Sequence, residues 1–154
     1  MALLQKGTKA PDFKGLSQTC IEVSSEKFRG QKLILYFYPK DNTPGCTAEG
    51  CNLNDNYDYW LQQGYNVVGI SPDSAESHRK FADKHGFKFT LIADPDHKIA
   101  EAYGAWGEKN NYGKKYMGVL RTTYIIDEHG IITDVFSKVD TKEHTAQIKK
   151  QINL

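Results

Sequence analysis

The sequence predicts an α/β fold with a central mixed β-sheet flanked by helices, and three observations carry that expectation. Residues 33–38 form an unbroken apolar run of strand length, the pattern of a strand covered on both faces. Strand-like and helix-like segments then alternate as far as Gly104, the order that gives parallel strands joined by crossover helices. Residues 122–126 and 131–135 flank the turn Asp127-Glu128-His129-Gly130, an antiparallel hairpin that makes the sheet mixed.

Taken in order, the strand at 33–38 should lie centrally. Thr43-Pro44 reads as a helix start, with Thr able to accept from an orphan backbone N–H and Pro suited to the first helical position. Leu53, Tyr57, Trp60 and Leu61 follow at i, i+4, i+7 and i+8, one buried stripe of a single helix that Gly64 would stop. Residues 67–70 read as the next strand, and 74–85 as a helix closed by Gly86. Residues 89–92 are a further strand; Asp94-Pro95 opens a short helix to about Tyr103, with Gly104 after it. The polar, aromatic and Gly-containing stretch 104–118 is expected to be a loop. Ile148 and Ile152, four apart, predict a C-terminal helix beginning near Thr141. No repeat, linker or low-complexity tract interrupts residues 1–154, so one domain around a single core is expected.

Composition narrows the partners. The 154 residues are 39% hydrophobic and 12% aromatic, enough apolar material for such a core. Lys plus Arg number 20 against 19 Asp plus Glu, and that near balance gives no support to a nucleic-acid or anionic-membrane partner. Residues 1–7 lack the apolar core of a signal peptide, and no apolar run approaches the ~18 residues of a membrane span, so a cytoplasmic protein is expected. In that reducing compartment structural disulfides are rare, and any working pair among the three cysteines is more in keeping with catalysis or metal binding.

The chemistry concentrates in residues 39–51, where the central strand ends and open α/β sheets tend to bind ligands. Cys46 falls at about the third position of the helix, among unpaired N–H groups and the positive end of the dipole, which favour a thiolate. Gly45 leaves the backbone before it uncovered for a small ligand. A passive, buried Cys46 is the competing reading on position alone. Cys51 lies five residues on, unlike the CxxC of thioredoxins and zinc sites. Zinc would need two further ligands; His78 and His85 are seven apart on another helix and read as solvated positions. Cys20 reads as a passive thiol in an N-terminal strand.

Residues 36–49, Tyr-Phe-Tyr-Pro-Lys-Asp-Asn-Thr-Pro-Gly-Cys-Thr-Ala-Glu, resemble the active-site signature of peroxiredoxins, specifically the bacterioferritin comigratory protein or Q-type branch. The similarity continues through 91–95, 103–107 and 118–127, and so covers nearly the whole chain. Leu53 and Asn54 depart from the aromatic and the arginine common in that branch. The resemblance implies a thioredoxin-like fold with an N-terminal strand extension and a hydroperoxide-reducing enzyme of antioxidant defence. It implies a peroxidatic Cys46, oxidised to a sulfenic acid that Cys51 resolves as an intramolecular disulfide. Arg121 and Thr43 would contact thiolate and peroxide together with Gly45, Pro39 would shield the pocket from water, and Glu49 would buttress an arginine. Thioredoxin or a similar dithiol would recycle a monomeric enzyme that needs no haem, flavin or metal.

A thiol–disulfide oxidoreductase on the same fold is disfavoured by the missing CxxC. A non-catalytic binding module would require an inert Cys46, and fold alone does not exclude it. On a regular helix the Cα atoms of Cys46 and Cys51 would be roughly 8.6 Å apart, beyond the ~7 Å limit for a disulfide. Closing that bond is therefore expected to unwind the helix between them.

Overall fold

The structure, a computed structural model, describes residues 3–154. A five-stranded mixed sheet runs in the order β5 (Thr90–Ala93), β4 (Tyr65–Ser71), β3 (Lys32–Phe37), β8 (Thr122–Ile126), β9 (Ile132–Phe136). The apolar run at 33–38 does supply the centre: β3 pairs parallel with β4 and antiparallel with β8, while β8 and β9 form the expected hairpin. Helices α1 (Pro44–Asp55) and α2 (Tyr57–Gln62) link β3 to β4, and α3 (Ala75–His85) links β4 to β5. Helix α4 (Lys98–Ala102) follows β5, and α5 (His144–Ile152) ends the fold. This is the thioredoxin-like α/β arrangement. The N-terminal extension is a small antiparallel hairpin of β1 (Lys14–Leu16) and β2 (Glu22–Ser24). Gln18 beside it bonds the Phe89 carbonyl and the Leu91 N–H, covering the open edge of β5 that would otherwise invite another strand.

The period of two along β3 divides the core between the two sheet faces. Leu33, Leu35 and Phe37 pack with Val68, Ile92, Ile99 and Tyr124. Ile34, Tyr36 and Tyr38 pack with Cys46, Leu53, Trp60, Phe81 and Ile148, beneath α1, α2, α3 and α5. Gly69, opposite Tyr36 in β4, is required here: a Cβ would stand 2.8 Å from the Tyr36 ring.

Several expectations are corrected. The helix after Cys46 is two helices, because the Asn56 side chain donates to the Asn52 carbonyl and the chain turns there; Trp60 is buried and Leu61 faces solvent. The short helix expected at Asp94-Pro95 begins at Lys98, four residues later. Asp94 still caps it, its carboxylate accepting from the N–H groups of Ile99 and Ala100. The stretch expected as a loop is mostly an antiparallel hairpin, β6 (Trp106–Asn111) and β7 (Lys114–Val119), turned by Tyr112 and Gly113, both at positive φ. The C-terminal helix starts at His144 rather than near Thr141. Cys20 lies at φ +60° in the turn between β1 and β2, not in a strand. His78 is fully buried rather than solvated, and His85 is half-buried. Among the described residues no helix is long and apolar enough to cross a membrane.

Candidate active site

The site forms where β3 hands the chain to α1. Pro39 is half-buried just past the strand, and Thr43 takes the N-cap position with Pro44 as the first helical residue. The Thr43 hydroxyl does not cap the helix. It donates to the Lys40 carbonyl at 2.9 Å, bracing the loop instead. Cys46 is the third residue of α1 and 1% exposed, and its Sγ accepts from Arg121 Nη2 at 3.3 Å. A Cβ on Gly45 would lie 3.3 Å from the same Nη2, so glycine there lets the guanidinium close on the sulfur.

Arg121 arrives from the opposite side, on the link between β7 and β8. Its Nη1 donates to Glu49 Oε1 at 2.7 Å. Glu49, one turn after Cys46 on the same helix, is wholly buried, and burial pushes its carboxyl up to about 7 against the pull of Arg121. Among the described residues its Oε2 has no hydrogen-bond partner, and His144 Nε2 stands 3.8 Å from it. That ring is already occupied, with Nδ1 against Gln147 Oε1 and Nε2 against Thr123 Oγ1, both at 2.8 Å. Burial lowers His144 to about 4, so it stands beside Glu49 as a neutral ring. Lys109, on β6, also feels the site: burial and Arg121 lower its ammonium while Cys46 opposes them.

Cys51 is on the same helix as Cys46, partly exposed, its thiol pushed up by burial and by Asp55; all three thiols, Cys20 included, are free. The structure therefore brings Cys46, Glu49 and Gly45 against Arg121, sets Thr43 at the N-cap of the same helix with its hydroxyl on Lys40, and leaves Cys20 in the turn between β1 and β2. Sequence reasoning missed His144, Thr123 and Lys109. His144 had a legible signal, since it precedes Ile148 by four on the buried stripe of α5. An N-terminal helix sulfur facing a fixed guanidinium can attack an electrophilic oxygen and spread the charge that develops on it.

The AhpC/TSA family pattern matches residues 6–135. The chain belongs to that family. Peroxiredoxin Bcp of Bacillus subtilis (strain 168) is 41% identical over 144 residues, 94% of this chain and 92% of the relative. Peroxiredoxin Bcp of Escherichia coli (strain K12) is 43% identical over 141 residues, 92% of this chain and 90% of the relative. The crystal structure of a cysteine-to-serine variant of Xylella fastidiosa PrxQ superposes with a TM-score of 0.91 at 28% identity, covering 99% of this chain and 98% of that one. Xanthomonas campestris bacterioferritin comigratory protein gives a TM-score of 0.85 at 31% identity, covering 92% and 90%. This peroxiredoxin sits on the Bcp/PrxQ branch and is a peroxidase.

Proposed function

We propose that the enzyme reduces hydrogen peroxide and organic hydroperoxides through Cys46, working as a single-domain monomer in the cytoplasm. The Cys46 thiolate attacks one peroxide oxygen, the O–O bond breaks, and the other oxygen leaves as water or alcohol after taking a proton from solvent, so that Cys46 carries a sulfenic acid. The Cys51 thiol then attacks that sulfur, expelling water and forming the Cys46–Cys51 disulfide. A thioredoxin-like dithiol returns both thiols by exchange and is itself oxidised. Arg121 keeps one N–H on the sulfur while its guanidinium faces the parting oxygens, Thr43 and the Gly45–Cys46 backbone complete the oxygen site, and Pro39 limits water. The observation that carries the reading is the Arg121–Cys46 contact at 3.3 Å, at the head of α1 and braced by Glu49.

The test is peroxide consumption with an added dithiol and mass spectrometry of the thiols. Cys46→Ser should abolish turnover, since serine offers no comparable anion at neutral pH. Cys51→Ser should consume about one peroxide per chain and stall with sulfenate at Cys46, prone to further oxidation. Retained turnover without Cys46 would falsify the assignment, and a Cys20–Cys46 bond in the oxidised wild type would make Cys20 the resolver.

A further inference from the structure

Behind the loop that delivers Cys46 lies a buried polar network that the reaction above does not use. Asp41, five residues before Cys46, is 7% exposed, and His78 on α3 is 0% exposed. Asp41 Oδ2 lies 2.6 Å from His78 Nδ1 and accepts from Ser77 Oγ at 2.8 Å, while Asp41 Oδ1 accepts from the Tyr38 hydroxyl at 2.6 Å. His78 Nε2 faces the Ile92 carbonyl on β5 at 3.2 Å, so both ring nitrogens lie against a protein oxygen. The Asp41 main-chain N–H donates to Asp73 Oδ2 at 2.8 Å, and Ser71 Oγ holds that same oxygen at 2.7 Å.

Asp41, Asp73 and His78 bring possible metal-ligand atoms within 4.8 Å of one another. Asp41 Oδ2, Asp73 Oδ2 and His78 Nδ1 are each already engaged by protein hydrogen-bond partners, so the cluster reads as a hydrogen-bonded clamp rather than a cation site. Its members come from the ends of β3, β4 and β5 and the first turn of α3. Tyr38, Asp73, Ser77 and His78 bond Asp41 directly, and Ser71 and Ile92 hold Asp73 and His78 in turn.

We propose that Asp41 and His78 are positioning residues for the Cys46 chemistry. His78 fixes the Asp41 carboxylate, Asp41 fixes residues 40–43, and that loop sets the first turn of α1 so that the sulfur meets Arg121. The loop carries its own marks of external restraint: Asn42 is held at φ +60°, and Thr43 is braced on Lys40 rather than on the helix. Arg121 grips Cys46 from one side and the Asp41 clamp holds its approach from the other. A sulfur displaced by ~1 Å from a preorganised donor loses about 100-fold in rate. The proposal rests on Cys46 being the attacking thiol.

Stopped-flow kinetics of the reduced protein separate the two chemical steps, oxidation of Cys46 by peroxide and closure of the disulfide. His78→Ala should slow the first step by about 10- to 100-fold and leave the second no slower. His78→Asn, which keeps one N–H donor for Asp41, should recover part of that rate. Tyr38→Phe, which removes one bond to Asp41 and leaves the packing, should show the same split in smaller measure and serves where His78→Ala does not fold. Oxidation rates within twofold of wild type in the folded variants overturn the proposal, as does equal slowing of both steps in proportion to lost thermal stability. Failure of the wild-type Cys46 to oxidise at all would remove the underlying reading instead, and with it this one.

Discussion

Glu49→Gln isolates the electrostatic cost built into the site. Burial raises the Glu49 carboxyl from an ordinary 4.5 to about 7, with Arg121 opposing. The folded state then holds a proton that the unfolded chain has released, so between pH 4.5 and about 7 the contribution of this group to stability falls as pH rises. The interval from 4.5 to about 7 corresponds to about 3 kcal/mol. His144 works in the other sense. Burial lowers it from 6.5 to about 4, so the unfolded ring gains a proton first, and its contribution is lost as pH falls from 6.5 through 4. In the wild type the two slopes oppose each other between pH 4.5 and 6.5. In the variant the amide oxygen still receives Arg121, nothing titrates at position 49, and the His144 slope stands alone. Urea unfolding of both reduced proteins at constant ionic strength from about pH 4 to about pH 8 measures the difference. The stability of Glu49→Gln relative to wild type should grow by about 3 kcal/mol across the window, at matched m-values. Parallel curves for the two proteins would refute the reasoning, because the carboxyl would then titrate at the same pH folded and unfolded.

Two further outcomes follow from the same geometry. Arg121→Lys should keep the fold and lower the second-order rate with peroxide by about 10- to 100-fold, because a planar fork serving Cys46 and Glu49 at once becomes a point charge; an unchanged stopped-flow rate would reduce Arg121 to an ion pair with Glu49. On oxidation to the Cys46–Cys51 disulfide, amides from Thr47 to Leu53 should lose hydrogen-exchange protection while those of β3 keep theirs. Equal protection in both redox states, with the bond confirmed, would show that closure does not unwind α1.

What could be read from the sequence follows from how each segment is buried. Residues of β3 are covered on both faces, so an unbroken apolar run announces a central strand. The hairpin of β6 and β7 was illegible for the opposite reason: from Glu108 to Met117 it is largely exposed, and no alternation of polar and apolar residues marks its register. Its one local signal was Tyr112-Gly113, a pair able to adopt the positive φ angles of a tight hairpin turn. Cys46 and Arg121 were legible because a motif names them, though 75 residues separate them along the chain. His78 was misread because α3 is mostly polar, yet Ala75, His78, Phe81 and Ala82 share its buried face and could have exposed the histidine as internal. Its partner Asp41 was beyond reach, since no local pattern pairs residues 37 apart. Asn54, where an arginine is common in the branch, binds the Gly86 carbonyl and the Lys88 N–H and so ties α1 to the end of α3.

Those tethers decide which part of α1 is free to move under the proposed mechanism. Asn52 accepts from the Thr145 N–H and donates to the Lys142 carbonyl, Leu53 is fully buried, and Asn54 grips the segment after α3. The end of α1 is therefore held by bonds that do not depend on its being helical. Upstream, the Asp41 clamp holds the loop. Between these anchors lies the first half of the helix, and its composition favours release. Gly50 lets the helix rest on Phe87, where a Cβ would stand 2.6 Å from the ring, but glycine inside a helix also costs about 1 kcal/mol relative to alanine. Glu49 adds a carboxyl whose charged form is disfavoured while the helix is closed. Unwinding from Cys46 to Cys51 carries that carboxyl off Arg121 and into water, so above about pH 7 opening regains the hydration that burial withholds. In the proposed mechanism the group that braces Arg121 for attack on peroxide would thus also weaken the closed helix once attack is over. Cys51, the last residue before the tethered end, is where, in the proposed mechanism, a sulfur released from Arg121 would meet a thiol that has not moved.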